Sequence, residues 1–199
     1  MEINVMTAET SRALHTSRNW YWYLTATGAS FLILLNVFKV QDSVARAFGY
    51  SGSIPMFALD EMIRGYTPAE AFRVMTEYGE AGRRAYTFLL LTSDLVFPFL
   101  YGSFLFLSIR RVTRRTGFPA RWSNGLAACG ITAACFDYLE NLAFLILINE
   151  YPGQSSIVAR LASFFTVTKF LFSAASLIIL ATLGIYILGR SLRATGITK

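Results

Sequence analysis

Histidine, cysteine and charge are all scarce in this chain. Its 199 residues include one histidine, His15, and two cysteines, Cys129 and Cys135. The cysteines stand six positions apart in one apolar block. On a helix they would point in different directions, which suits neither a disulfide nor a metal pair. With a single histidine there is no Cys/His zinc signature, and the sequence points to no metal and no cofactor. A catalytic serine would lack its base, because His15 lies on the polar tail of residues 1–19. That tail has no apolar region followed by a small-residue cleavage site, so a cleaved signal peptide is not expected. Internal repeats, low-complexity tracts and a phosphate-binding glycine loop are missing too. The apolar segments show no two-residue alternation, which argues against a β-barrel. Only 15% of residues are charged, against about a quarter in a typical soluble domain.

What the chain does have is apolar sequence, 54% of it, gathered into long blocks. Four blocks reach the roughly 20 residues needed to cross a ~30 Å hydrocarbon core. They centre on spans 20–40, 86–109, 125–148 and 161–188. The first opens with Trp20-Tyr21-Trp22-Tyr23, rings of the kind that sit at headgroup level. The last is longer than a perpendicular crossing requires, which a tilt would absorb. The expected fold is therefore an all-α integral membrane protein: a single domain over residues 1–199, built as a four-helix transmembrane bundle.

Segment 41–85 differs, with Gly49, Gly52, Pro55 and many charges. Within it Thr67-Pro68-Ala69-Glu70 has the form of a helix start, with Thr67 as cap, proline in the first turn and Glu70 completing a capping box. Phe72, Met75 and Tyr78 would then share one side, Arg73 and Glu77 would face away, and Gly79 would end the helix. A short amphipathic helix between the first two spans is expected.

Sidedness follows from the basic residues. Linker 110–124 carries Arg110, Arg111, Arg114, Arg115 and Arg121 and no acid, whereas the linker at 150–160 carries one basic residue, Arg160. The positive-inside rule puts the arginine linker in the cytoplasm together with both termini, and loop 41–85 outside. Arg46, Arg64, Arg73, Arg83 and Arg84 in that loop reduce the asymmetry without reversing it. The arginine cluster also suits anionic lipid headgroups. The net charge of +6 thus points to membrane lipids as partners. A nucleic-acid reader would have no need of apolar blocks.

Ionisable residues inside spans are costly and tend to face a bundle interior or a wet cavity. There are four: Asp94, Asp137, Glu140 and Lys169. Asp137, Glu140 and Asn141 share one helical face by their spacing of three and four. Asp94, Pro98, Tyr101 and Gly102 form a stripe on the second span, Thr166, Lys169, Ser173 and Ser176 one on the fourth, and Thr25, Gly28 and Asn36 one on the first. Asp94, Glu140, Asn141 and Lys169 fall at similar depth in the outer half, with Asn36 shallower. Three carboxyl groups against one ammonium leave a charge surplus that a shared proton between Asp137 and Glu140 would relieve. The expected cavity residues are Asp94, Tyr101, Asp137, Glu140, Asn141, Lys169 and Asn36. Gly130-x-x-x-Ala134 reads as a close-packing motif.

The run Asp94-Leu-Val-Phe97-Pro98-Phe-Leu-Tyr101-Gly102, with Asp137-Tyr-Leu-Glu140-Asn141-Leu and the stretch from Leu59-Asp60 to Arg83-Arg84-Ala85-Tyr86, resembles a set of small, uncharacterised bacterial four-span inner-membrane proteins. The likeness covers roughly residues 55 to 148. It implies a bacterial cytoplasmic membrane and brings neither an activity nor a role for any residue.

Three functions stay open on this reading. The first is an outward-facing polar cavity that handles a lipid or small molecule, with acid–base chemistry if it catalyses. The second is a structural or assembly partner of another membrane protein, docking through loop 41–85 with Tyr50, Phe57 and Tyr66 as surface aromatics. The third is a proton-coupled carrier or ion-conducting homo-oligomer.

Overall fold

The computed structural model describes residues 23–30, 33 and 39–194. Helix α1 covers the described residues 23–30. It is followed by α2 (Val40–Ala47), α3 (Pro68–Glu77), α4 (Gly79–Leu91), α5 (Ser93–Arg115), α6 (Ala120–Glu150) and α7 (Ser156–Ala194). No strand occurs among the described residues. Three helices are long and apolar enough to cross a membrane: α4 and α5 taken together, α6, and α7. About half of the expected first span, 20–40, falls outside the described residues, Asn36 among them.

The membrane-like character shows most clearly in α7, which is patterned in reverse of a soluble helix. Its buried residues are Ala159, Ala162, Thr166, Lys169, Ser176 and Leu183, mostly small or polar and spaced by three and four. Its exposed face carries Leu171, Ile178 and Ile185 at 66%, 65% and 72% exposure. Water would penalise that surface, whereas lipid tails are as apolar as the side chains themselves.

Small residues set the packing of α5 on α6. A Cβ on Gly102 would lie 2.6 Å from the Ala134 Cβ and 3.1 Å from the Gly130 carbonyl oxygen. A Cβ on Gly130 would lie 2.7 Å from the Leu105 Cβ. The two backbones meet at these glycines, and Ala134 completes the contact. The connection between the helices is shorter than the sequence suggested. Helix α5 runs on to Arg115, so Arg110, Arg111, Arg114 and Arg115 stand on its last turns, and Arg121 lies in the first turn of α6. Gly117 takes φ +81°, and the Phe118 amide donates to the Thr113 carbonyl at 3.3 Å, closing the helix end. Arg114 and Arg115 complement the negative end of the α5 dipole.

Segment 41–85 is not a loose loop. The Thr67 capping box forms as expected: the Thr67 amide donates to Glu70 at 2.7 Å and the Glu70 amide to the Thr67 hydroxyl at 3.3 Å. Ala71, Val74, Met75 and Tyr78 are buried, while Arg73 and Glu77 pair in solvent at 2.9 Å. Gly79 has φ +59° at the junction. Beyond it the chain resumes as helix at once, and α4 continues towards α5 with a break only at Thr92 (φ −117°, ψ −84°).

Tyr50, Phe57 and Tyr66 correct the sequence-based expectation. Each is at most 8% exposed. They pack with Met56, Leu59, Tyr78, Tyr86 and Phe144 in a core that joins segment 45–90 to α6 and the start of α7. Tyr78 and Tyr86 meet edge to face at 5.7 Å, Tyr66 stacks on Phe144 at 6.3 Å, and the Tyr78 hydroxyl donates to the Pro55 carbonyl at 2.9 Å. These rings hold the segment down and leave none of the three free for docking.

The glycine contact makes a direct prediction. Gly102→Val and Gly130→Val should each lower stability by about 1–3 kcal/mol through overpacking, read as a fall in melting temperature in detergent. Gly125→Ala, where an added Cβ meets nothing within 4 Å, should leave it unchanged or slightly raised.

Candidate functional site

Proline shapes the start of α5. Pro98 has no amide hydrogen, so the carbonyl four residues earlier, that of Asp94, loses its helical donor. The Asn141 side-chain amide supplies one instead, at 3.3 Å. One turn earlier on α6, the Tyr138 hydroxyl donates to the Leu95 carbonyl at 2.7 Å. Two α6 side chains thus hold the opened turn of α5 and fix Asp94 beside them. Asn141 belongs to this brace, in the wall of the site.

Lys169 is the centre of the charged layer. Its ammonium lies 3.2 Å from the Asp137 carboxylate and 2.5 Å from that of Glu140, and it is also bound to Asp60. The Thr166 hydroxyl, one turn before Lys169 on α7, bonds to Glu140 as well. An ammonium has three N–H donors and here meets three carboxylates. Carboxylate oxygens of Asp60, Asp137 and Glu140 lie within 4.8 Å of one another, close enough to share a cation, and the lysine ammonium occupies that role. Asp137 and Glu140 meet Lys169 directly, and Asp94 lines the same cavity as Asp137 and Lys169.

Asp60 was not among the expected cavity residues. It comes from the turn after α2, seated by two features. Phe57 takes φ +65°, a left-handed conformation that costs a non-glycine residue about 1–2 kcal/mol. Gly65, at φ +78°, passes so close to α7 that a Cβ there would sit 2.8 Å from the Ser163 hydroxyl. The next amide, of Tyr66, donates to that hydroxyl at 2.8 Å. The chain is thereby pinned on α7, and Asp60 reaches Lys169.

Beside this cluster lies a cavity of about 430 Å³. Asp60, Glu61, Asp94, Asp137, Tyr101 and Lys169 form its polar end. Phe97, Phe104, Leu105, Phe170 and Leu177 form most of the remainder, and Ala26, Ala29, Ser30 and Ile33 close one side. Tyr101 presents its hydroxyl to Asp137. Of the expected residues, Asp94, Tyr101, Asp137 and Lys169 line the cavity, while Glu140 and Asn141 lie in the wall behind. Asn36 lies outside the described residues. Glu61, unexpected from sequence, stands at the rim, where desolvation, then Asp60 and Asp42, push its carboxyl above the usual range.

The arginines expected at lipid headgroups lie at the far end of α5. From Asp94 to Arg110 the helix rises roughly 24 Å at 1.5 Å per residue. Arg114, Arg115 and Arg121 are exposed there beside exposed Trp122 and Phe118, while Arg110 and Arg111 are half-buried.

No family model, curated protein or solved structure matches this chain. The geometry of the site is therefore what any functional reading rests on.

Lys169→Met should leave three carboxylates without their cation and destabilise the protein on the order of 3–5 kcal/mol. Adding Asp137→Asn and Glu140→Gln should recover most of that loss. Glu140→Gln alone keeps an acceptor for Thr166 but turns an amide NH2 towards the Lys169 ammonium, and should cost about 1–3 kcal/mol. Thermal melts of the purified variants in detergent measure all three. Glu61 gives a pH test. Its folded-state carboxyl binds protons more tightly than the unfolded one, so it costs stability as pH rises from its ordinary range through the raised one. Glu61→Gln should remove that decline and raise the melting temperature near neutral pH. A steeper decline in the variant would contradict the assignment.

Proposed function

We propose that this chain is a four-span membrane protein of a bacterial cytoplasmic membrane whose cavity admits a lipid or small lipophilic molecule from the extracytoplasmic side. Helix α1 would belong to the first span, and both termini would lie in the cytoplasm with the arginine-rich end of α5 and α6. There Arg114, Arg115, Arg121 and Trp122 would meet anionic headgroups, in keeping with the positive-inside rule and the interfacial preference of tryptophan. The observation that carries the reading is the composition of the cavity, with charged groups gathered around Lys169 and mostly apolar side chains elsewhere. Its volume suits a small ligand, since such sites commonly run about 300–1,000 Å³.

The docking alternative for segment 41–85 loses its main support with the burial of Tyr50, Phe57 and Tyr66. The segment instead contributes Asp60 and Glu61 to the cavity. Should the site catalyse, Asp94, Asp137 and Tyr101 are the groups within reach for acid–base chemistry.

Mild-detergent purification followed by organic extraction and mass spectrometry tests the reading. The wild type should carry a retained small molecule or lipid. Ser173→Phe, which fills the cavity, should lose it, and Ala174→Phe, on the exposed side of α7, should keep it. Equal retention by all three would show surface lipid only and defeat the proposal. An impermeant thiol reagent should label Ser53→Cys from outside the cell. Labelling only after permeabilisation would reverse the orientation.

A further inference from the structure

We infer that the cavity recognises an amphiphile bearing an ammonium group, with a primary or quaternary amine at its head and a hydrocarbon body. This names a ligand class for the cavity proposed above and rests on that reading. The charges around Lys169 disfavour an anionic head. Among the described residues Lys169 is the one cation lining the cavity; it donates to Asp60 and Asp137 and pairs with Glu140 at 2.5 Å. An anionic head would meet an ammonium already held by three carboxylates and would face those carboxylates.

Carboxyl groups are in surplus around the cavity, and an incoming cation would favour their charged form. Asp94 and Glu61 also line the cavity, and neither is in an ion pair among the described residues. Asp94 engages Asn141 through its backbone carbonyl, which leaves its carboxylate turned to the cavity without a side-chain partner. A half-buried carboxylate in that position gains most from an incoming cation.

The cavity also has an aromatic stripe. Asp94, Phe97 and Tyr101 are spaced by three and four on one face of α5, and all three line the cavity. The Phe97 and Tyr101 rings lie 5.1 Å apart between centroids, at 51°. Rings beside a carboxylate hold an ammonium by quadrupole and charge together, a combination that discriminates against neutral and anionic heads. Leu105 and Leu177, further along the cavity, would take the hydrocarbon.

The test uses three photoreactive alkyl probes of one chain length that differ only in the head: amine, carboxylate and alcohol. They are crosslinked to the full-length protein in dodecyl maltoside, which has a neutral headgroup, and the labelled peptides are mapped by mass spectrometry. The amine should label cavity peptides of α5 and α6 about tenfold more than the other two. Asp94→Asn should bring the three probes close to parity, and Glu61→Gln should reduce the preference in part. Melting curves establish that each variant is folded. Should Asp94→Asn fail to fold, Glu61→Gln and Phe97→Leu decide the matter, since neither removes a group that holds Lys169. Equal labelling by all three heads, or preference for the carboxylate, would overturn the ammonium inference and leave the lipid cavity standing. Absence of any probe from the cavity peptides would overturn both.

Discussion

One buried ammonium organises this structure. A lysine at the centre of a membrane-spanning helix costs about 2.5–3.5 kcal/mol on insertion scales, and carboxylates in the same setting are of similar cost. Lys169 and its partners offset one another's cost. Asp137 and Glu140 come from α6, and Asp60 from a segment 109 residues earlier in the chain. The ion cluster therefore also selects a tertiary arrangement. It joins α6 to α7 at one depth and draws the turn after α2 down onto them. Once there, the turn brings Tyr66 to Ser163 and closes the aromatic core around Tyr86 and Phe144.

The site lies where two structural weaknesses meet. Pro98 opens a helix turn, and the glycines at 102 and 130 bring α5 and α6 into backbone contact one turn further on. The first would leave a carbonyl without a donor in a dry environment, which Asn141 prevents. The second leaves room only for small side chains. Together they place Asp94 and Tyr101 rigidly on the side facing α7, while the outer surfaces of the helices remain plain hydrocarbon. A few fixed polar groups in an otherwise apolar cavity are the usual basis of orientation in small-molecule sites.

Much of this was legible in the sequence, for identifiable reasons. The later apolar blocks announce α5, α6 and α7 by length alone, and the Thr67-Pro68-Glu70 pattern announces α3 because capping is local chemistry. Asp137, Glu140 and Lys169 stand out as rare charges in apolar surroundings, and helical spacing puts the first two on one face. Asp60 and Glu61 carry no such mark. They sit in a charged segment without periodicity, and what distinguishes them is a tertiary contact set by Phe57, Gly65 and Ser163. Tyr50, Phe57 and Tyr66 were misplaced for the same reason, since irregular backbone gives no repeating signal of burial. A hint was present in α3, whose amphipathic face required something to pack against. The start of α4 was hidden by Arg83 and Arg84, which look like loop residues. In the fold, Arg83 lies 3.7 Å above the Tyr151 ring and donates to the Met75 carbonyl at 2.9 Å.

The sequence separation of the ion cluster has a consequence for biogenesis. A chain emerging from the ribosome presents Asp60, then Asp137 and Glu140, before Lys169 exists. Helix α6, long and apolar enough to cross a membrane, is therefore made with two acids whose counter-ion is still to be translated. Until α7 arrives, these acids lack the cation that partners them in the folded protein. Completion of α7 supplies the missing charge and locks the earlier segments in place. A chain that ends before residue 169 would keep Asp60, Asp137 and Glu140 without the cation they share in the folded protein.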